Sequence, residues 1–242
     1  MDTMNDLFRR FEQLNAIGAA LSSERNLDRL LESILIAAKA ITHADGGTLY
    51  RMSEDGRRLH FAIVRTESLG IAFGGVEGAP LPAHFGDLNL YLADGAENNT
   101  LVSAYSALHK ETVNIADAYV AQGFDFSGTR RFDAITGYRS RSFLTVPLKN
   151  HENEVIGVLQ LINALAPDGQ VQEFSLADQQ LAESLASQAA VALTNRLLID
   201  QMEHLFESFI SLINLAIDEK SPYTGGHCQR VPTLTMMLAE AA

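Results

Sequence analysis

The chain has 242 residues, 47% of them hydrophobic and 20% charged, which is enough to pack a large domain with helical attachments and excludes wholesale disorder. Lys and Arg number 18 against 30 Asp and Glu, and the net charge of −12 disfavours docking on nucleic acid phosphates or anionic lipid. A single cysteine, Cys228, builds neither a disulfide framework nor a tetrathiolate zinc site and fits a reducing compartment.

Residues 1–6 hold no basic region ahead of an apolar stretch, so no secretory leader is expected. No apolar run approaches the roughly 20 residues that cross a bilayer. The expectation is a cytoplasmic protein with neither membrane nor nucleic acid as partner.

Met4, Leu7, Phe11, Leu14 and Leu21 recur at spacings of three and four, with Gly18 in the remaining slot, and predict a dimerisation helix over residues 1–21. Asn26 can cap a second helix whose broader face, through Leu30, Leu31, Ile34, Leu35 and Ala38, suits packing on a sheet. It should stop within 43–47. Two β-prone runs, 48–52 and 59–64, flank a turn at 53–56 and read as a hairpin. Residues 67–99 read as loop with one strand near 89–92. A helix over 100–111, a short strand at 113–115 and a polar segment with aromatics over 116–141 follow. The strongest strand pair is 142–148 with 155–162. This order is an α+β plan, one antiparallel sheet covered on one face by helices.

From Ser175 neither Pro nor Gly occurs until Pro222, which predicts one long helix. Leu181, Leu185, Ala189, Leu193 and Leu197 at spacings of four suit the sheet. The phase then changes: Leu198, Met202, Leu205, Phe209, Leu212 and Ala216 alternate four and three, a heptad seam that extends back to Asn195 and Val191. Asn195 either sets the register of a parallel dimeric coiled coil or simply faces solvent, and the helix either pairs with a second copy or folds back on its own domain.

Dinucleotide-binding glycines, a Walker-type Gly-Lys-Ser, a Gly-x-Ser-x-Gly elbow and a His-Glu-x-x-His pair are all missing, so catalysis by this chain alone is not expected. Phe124, Phe126, Phe132 and Tyr138 read either as a lid or as a satellite cluster pinning a long loop. Arg130, Arg131, Arg139 and Arg141 offer a local positive patch for a phosphate or carboxylate ligand, unless Asp125 and Asp133 pair with them.

Four stretches together carry a resemblance: residues 114–119, 123–129, 136–148 with Thr136-Gly137-Tyr138-Arg139, and 155–163. In order and spacing they resemble GAF domains over roughly residues 10–200. The resemblance implies a six-stranded antiparallel sheet with helices on one face forming a dimer interface, plus long terminal helices, and a small-molecule pocket over the opposite face. The nearest subgroup is that of cyclic-nucleotide phosphodiesterases and cyclases, which implies Thr48, Ser103, Thr136, Ser140 and Gln160 as ligand-binding residues. Hydroxyl and amide partners in an apolar cavity suit a purine edge and a phosphate. Nucleotide-binding members carry Asn-Lys, Phe and Asp-Glu, with the Lys and Asp paired to close the pocket; here stand Asn163-Ala164, Phe174 and Asp178-Gln179, so that ion pair cannot form. A different ligand, or none, is the expectation.

Residues 215–231, with Lys220-Ser221-Pro222-Tyr223-Thr224-Gly225-Gly226-His227 and Arg230, resemble the opening of HD-GYP domains, metal-dependent cyclic di-GMP phosphodiesterases. The resemblance implies His227 as a ligand of a divalent Fe or Mn centre, while Tyr223 stands where some trinuclear members carry Glu. One imidazole does not hold a dinuclear centre, so no cofactor is expected in this chain itself. The organisation expected is a helix over 1–21, a GAF sensor over 22–198, a signalling helix over 199–218 that makes the homodimer with the first helix, and the truncated start of an HD-GYP domain over 219–242. The ligand expected is an unidentified small molecule.

Overall fold

The structure, a computed structural model, describes residues 2–83, 85–220 and 227–241. It divides into two units, Met1–Thr194 and Asn195–Ala242.

The first unit begins with α1 (Asp2–Ser23) and α2 (Leu27–Thr42). Asn26 caps α2 as its side chain accepts from the Arg29 N–H, and His43 ends it in the left-handed region at φ 54°. That single residue turns the chain, so β1 (Ala44–Met52) starts at once and takes in Gly46 and Gly47, which the sequence reading assigned to the helix stop. Gly47 belongs in the strand because a Cβ there would stand 2.8 Å from Leu35 Cδ1 of α2 and 3.0 Å from the Gln160 carbonyl oxygen.

β2 (Arg58–Thr66) completes the expected hairpin, with a bulge between Leu49 and Tyr50. The long loop adds β3 (Ile71–Phe73) and β4 (Leu88–Asn89), and α3 (Val102–His109) and β5 (Val113–Ile115) follow. α4 (Ser127–Thr136) lies inside the segment read as irregular; Asp125 accepts from the Ser127 N–H at its start and Gly137, at φ 72°, ends it. The central pair is β6 (Phe143–Lys149) and β7 (Val155–Leu165), followed by β8 (Val171–Gln172) and α5 (Leu176–Lys220).

All strand pairs are antiparallel, in the order β3-β2-β1-β7-β6-β5, with β4 beside β2 and β8 beside β7. The architecture is α+β. Strand alternation sorts the side chains between two faces. Leu49, Leu144, Val146, Leu148, Leu159 and Leu161 form one core with α1, α2 and α5. Leu14 and Leu21, two of the five seam residues read on the first helix, are buried in that core at 1% and 2% exposure, while the side chains of Met4, Leu7 and Phe11 lie outside the described residues. Tyr50, Leu59 and Val158 face the other way, beneath Ala104 and Ala107 of α3, and Phe143 meets Val102, Ala118 and Phe126. Phe126 and Phe124 therefore belong to a satellite cluster.

Ser175 and Asp178 close a reciprocal cap at the start of α5: the Ser175 N–H and hydroxyl donate to the Asp178 carboxylate, and the Asp178 N–H donates back to Ser175 Oγ. In the second unit α5 runs on from Asn195 and α6 spans His227–Glu240. Asn195 is exposed there, and Met202, Leu205, Phe209 and Leu212 of the heptad seam are 57–72% exposed. Among the described residues no helix is long and apolar enough to cross a membrane.

A buried ion pair fixes the loop after β3 to α2. The Arg65 guanidinium contacts the Glu32 carboxylate and donates to the Phe73 and Gly74 carbonyls, while Glu32 also accepts from the Val76 N–H. Burial pushes the Glu32 carboxyl up, but the bonds from Arg65 and Val76 and the Arg65 charge outweigh it, and the group titrates below the ordinary glutamate range. Its contribution to stability is therefore complete above about pH 4.3 and falls away as acid protonates the folded form. Glu32→Gln should cost about 3 kcal/mol in urea unfolding at pH 7, by stranding Arg65, and the difference from wild type should shrink below pH 4.

Candidate functional site

The α3 side of the sheet carries a polar row between its two apolar clusters. Thr48 of β1 pairs with Gln160 of β7, and Gln160 pairs with Thr145 of β6. Residues directly opposite one another share a face, so three polar side chains stand in line across three strands. Tyr50, two residues after Thr48, points the same way. Its hydroxyl donates to Gln160 Oε1 at 3.3 Å, and Gln160 Nε2 donates to Thr145 Oγ1 at 3.1 Å. Thr48 and Ser103 of α3 are further hydrogen-bond partners of the Tyr50 phenol.

Thr48, Tyr50, Ser103 and Thr145 are all buried, whereas Gln160 is half-buried. Burial pushes the Tyr50 phenol well above its ordinary range, against smaller opposing effects of Thr48 and Ser103, so it remains a neutral donor. The row presents hydroxyls and one primary amide in apolar surroundings. Such groups suit a ligand with a hydrogen-bonding edge.

Of the five residues read from the sequence, Thr48, Ser103 and Gln160 come together. Thr136 and Ser140 stand at the end of α4 and just after it. Thr136 Oγ1 donates to the Phe132 carbonyl at 2.9 Å and accepts from the Tyr138 N–H, while the Ser140 hydroxyl donates to Asp133 Oδ1 at 2.7 Å. Both hydroxyls hold local chain. Tyr50 and Thr145 were missed, although their signal was present: Tyr50 shares the parity of Thr48, and the 142–148 run places Thr145 opposite Gln160 once the hairpin is registered.

The family positions around the absent ion pair have structural work. Asn163, at φ 58°, accepts from the Arg141 N–H at 2.7 Å and donates to the Arg139 carbonyl at 2.8 Å. Ala164 and Phe174 are buried in the helix-side core, and Asp178 serves the cap of α5. Three of the four arginines already have partners within the chain. Arg141 pairs with Asp117 at 3.4 Å, and Arg139 and Arg130 lie over the Tyr119 ring at 4.2 and 5.8 Å. The side chain of His227 and residue Tyr223 lie outside the described residues.

A cleft of about 1240 Å³ opens elsewhere, at the end of α2 and the start of α5, lined by Lys39, Asp45, Glu67, Ser68 and Asp178 among others. None of the five sequence-derived residues lines it.

A family model described as GAF domain matches residues 26–193. The dual 3′,5′-cyclic-AMP and -GMP phosphodiesterase 11A of Takifugu rubripes is 30% identical over 117 residues, 48% of this chain and 12% of that protein. The cGMP-specific 3′,5′-cyclic phosphodiesterase of Drosophila virilis is 23% identical over 201 residues, 81% of this chain and 20% of its own length. This chain thus spans a fifth or less of these two curated relatives. Among solved structures, the GAF domain of a phosphoenolpyruvate-protein phosphotransferase from Coxiella burnetii aligns with a TM-score of 0.58 at 13% identity, covering 81% of this chain and 98% of that one, a likeness of fold.

The Gln160 row yields a test by double-mutant cycle. Thr145→Val leaves Gln160 Nε2 without its acceptor and should cost about 1 kcal/mol in urea unfolding. Removing both partners in Thr145→Val with Gln160→Leu should cost less than the sum of the single changes, whereas strict additivity would mean that the two side chains are not coupled.

Proposed function

The chain belongs to the GAF domain family, and on that premise we propose that its first unit senses a small molecule and regulates an HD-GYP cyclic di-GMP phosphodiesterase through α5. The observation that carries the sensory reading is the row Thr48, Tyr50, Ser103, Thr145 and Gln160, convergent hydrogen-bonding groups in an otherwise apolar face. The ligand contacts Thr48, Ser103 and Gln160, with Thr136 and Ser140 at the margin. It presents donors and acceptors along one edge, as a nucleobase does. The two phosphodiesterase relatives support a cyclic nucleotide, while Ala164 in place of the pocket-closing Lys counts against it.

The output reading rests on residues 215–231. His227 would contribute one imidazole to a divalent Fe or Mn centre, and one imidazole does not complete such a centre, so hydrolysis belongs to further residues of a longer protein. The protein acts in the cytoplasm as a homodimer made by its N- and C-terminal helices. Ligand favours one rotation or register of that seam, and a coupling of ~1–3 kcal/mol suffices to shift the output.

A second reading is a ligand-free scaffold that only dimerises its output domain. It is favoured by the bonds Gln160 already makes within the chain, its carbonyl oxygen accepting from Tyr50 and its amide donating to Thr145.

Thermal unfolding of the purified chain with cyclic AMP, cyclic GMP and cyclic di-GMP tests these readings. A ligand at a hundred times its dissociation constant stabilises by about 2.7 kcal/mol, which raises Tm by roughly 5–11 °C. A shift of that size with one cyclic mononucleotide supports the sensory reading with that ligand, and flat curves with all three remove these nucleotides from it and move the search to other metabolites or to pure dimerisation. For the dimer, Asn195→Leu should tighten self-association in sedimentation equilibrium by removing a polar group from the seam; unchanged association would take Asn195 out of the interface.

A further inference from the structure

The segment 116–141, between β5 and β6, packs on the sheet face that carries the Gln160 row. Ala118 and Phe126 cluster with Phe143 and Ile162, a strand pair two residues along from Thr145 and Gln160 on the same face. The segment is folded on itself around one buried carboxylate. Asp133 of α4 accepts from the Tyr119 hydroxyl at 2.7 Å, the Ser140 hydroxyl at 2.7 Å and the Ser140 N–H at 2.8 Å. Arg139, stacked on the Tyr119 ring at 4.2 Å, tightens the same knot.

A second buried carboxylate ties this segment to the sheet. Asp45 of β1 accepts from the Tyr138 hydroxyl at 2.6 Å, and also from the Ser68 hydroxyl at 2.7 Å and the Ser68 N–H at 3.1 Å. The asymmetry of these bonds matters. When Tyr138 leaves, Asp45 keeps both bonds from Ser68, so no buried charge is stranded, and the half-buried phenol can reach water. Glu32 differs, since separating it from Arg65 would leave two buried charges apart.

We infer that residues 116–141 form a strap over the candidate ligand face, knotted around Asp133 and latched to the sheet by the Tyr138 hydroxyl on the Asp45 carboxylate. The Tyr138 bond can open by itself because its acceptor stays satisfied by Ser68, while Asn163 of β7 keeps the Arg139 carbonyl and the Arg141 N–H at the end of the segment. The role of the latch in ligand access rests on the sensory reading; the latch itself does not.

The test is hydrogen exchange by mass spectrometry on the full 242-residue chain without added ligand. Tyr138→Phe keeps the ring and removes the latching oxygen. Amides in 116–141 should exchange at least about tenfold faster, the scale of one lost charge-assisted bond, while peptides from β1, β7 and α2 stay at wild-type rates. Tyr119→Phe, which loosens the Asp133 knot, should accelerate the same segment. Unchanged rates in 116–141 for both variants would overturn the inference, as would an equal acceleration across β1, β7 and α2, which reports global destabilisation. Because no ligand enters the experiment, a protein that binds no nucleotide can still show the latch.

Discussion

The register of β7 between β1 and β6 is the constraint on which the rest depends. With Gln160 opposite both Thr48 and Thr145, Leu159 and Leu161 point to the helices and the polar row points away. A slip of one residue would exchange the two sets. Magnitudes decide which set holds the register: each buried Leu is worth about 1.5–3 kcal/mol, against about 1 kcal/mol net for a hydrogen bond such as that from Gln160 to Thr145. The apolar face sets the alignment, and the assembled polar row is its consequence.

Apolar burial explains only part of how the long connections are held, through side chains such as Leu90, Ala118 and Phe126. Buried carboxylates take over. Glu32, through Arg65 and the Val76 N–H, fixes the turn after β3; Asp45 gathers Ser68 and Tyr138; Asp133 gathers Tyr119 and Ser140. Each has several donors, which is the condition for a carboxylate to stay in a protein interior without large cost. Such anchors are directional and few, and they release connections one at a time, whereas loss of the leucine layer would release the whole unit.

The second unit follows another economy. Met202, Leu205, Phe209 and Leu212 lie exposed along α5, and Leu234, Met237 and Leu238 are exposed on α6. Contiguous apolar surface of this kind marks an association face. The proposed homodimer and output domain are the occupants this surface suits, and a seam read by a rotating partner is compatible with a sensor that transmits a change of a few kcal/mol.

Much of the fold was legible in the residues themselves. The period of Leu30, Ile34, Leu35 and Ala38, the cap at Asn26, the alternation of 142–148 against 155–162 and the unbroken run after Ser175 each announce an element, because these signals are local and depend on helix or strand geometry alone. The GAF resemblance added the order of the whole. Tertiary structure decided what local signals cannot carry. It placed Gly46 and Gly47 in β1, where α2 and β7 come too close to Gly47 for a side chain. It ordered α4 within a segment that reads as loop, and it drew Thr136 and Ser140 into the Asp133 region while bringing Tyr50 and Thr145 to the row. Residue type and spacing announce which groups are able to bond; strand register and the packing of distant segments choose the partners, because those contacts join positions far apart in the chain, such as Tyr50 with Gln160, 110 residues on, and Asp45 with Tyr138, 93 residues on.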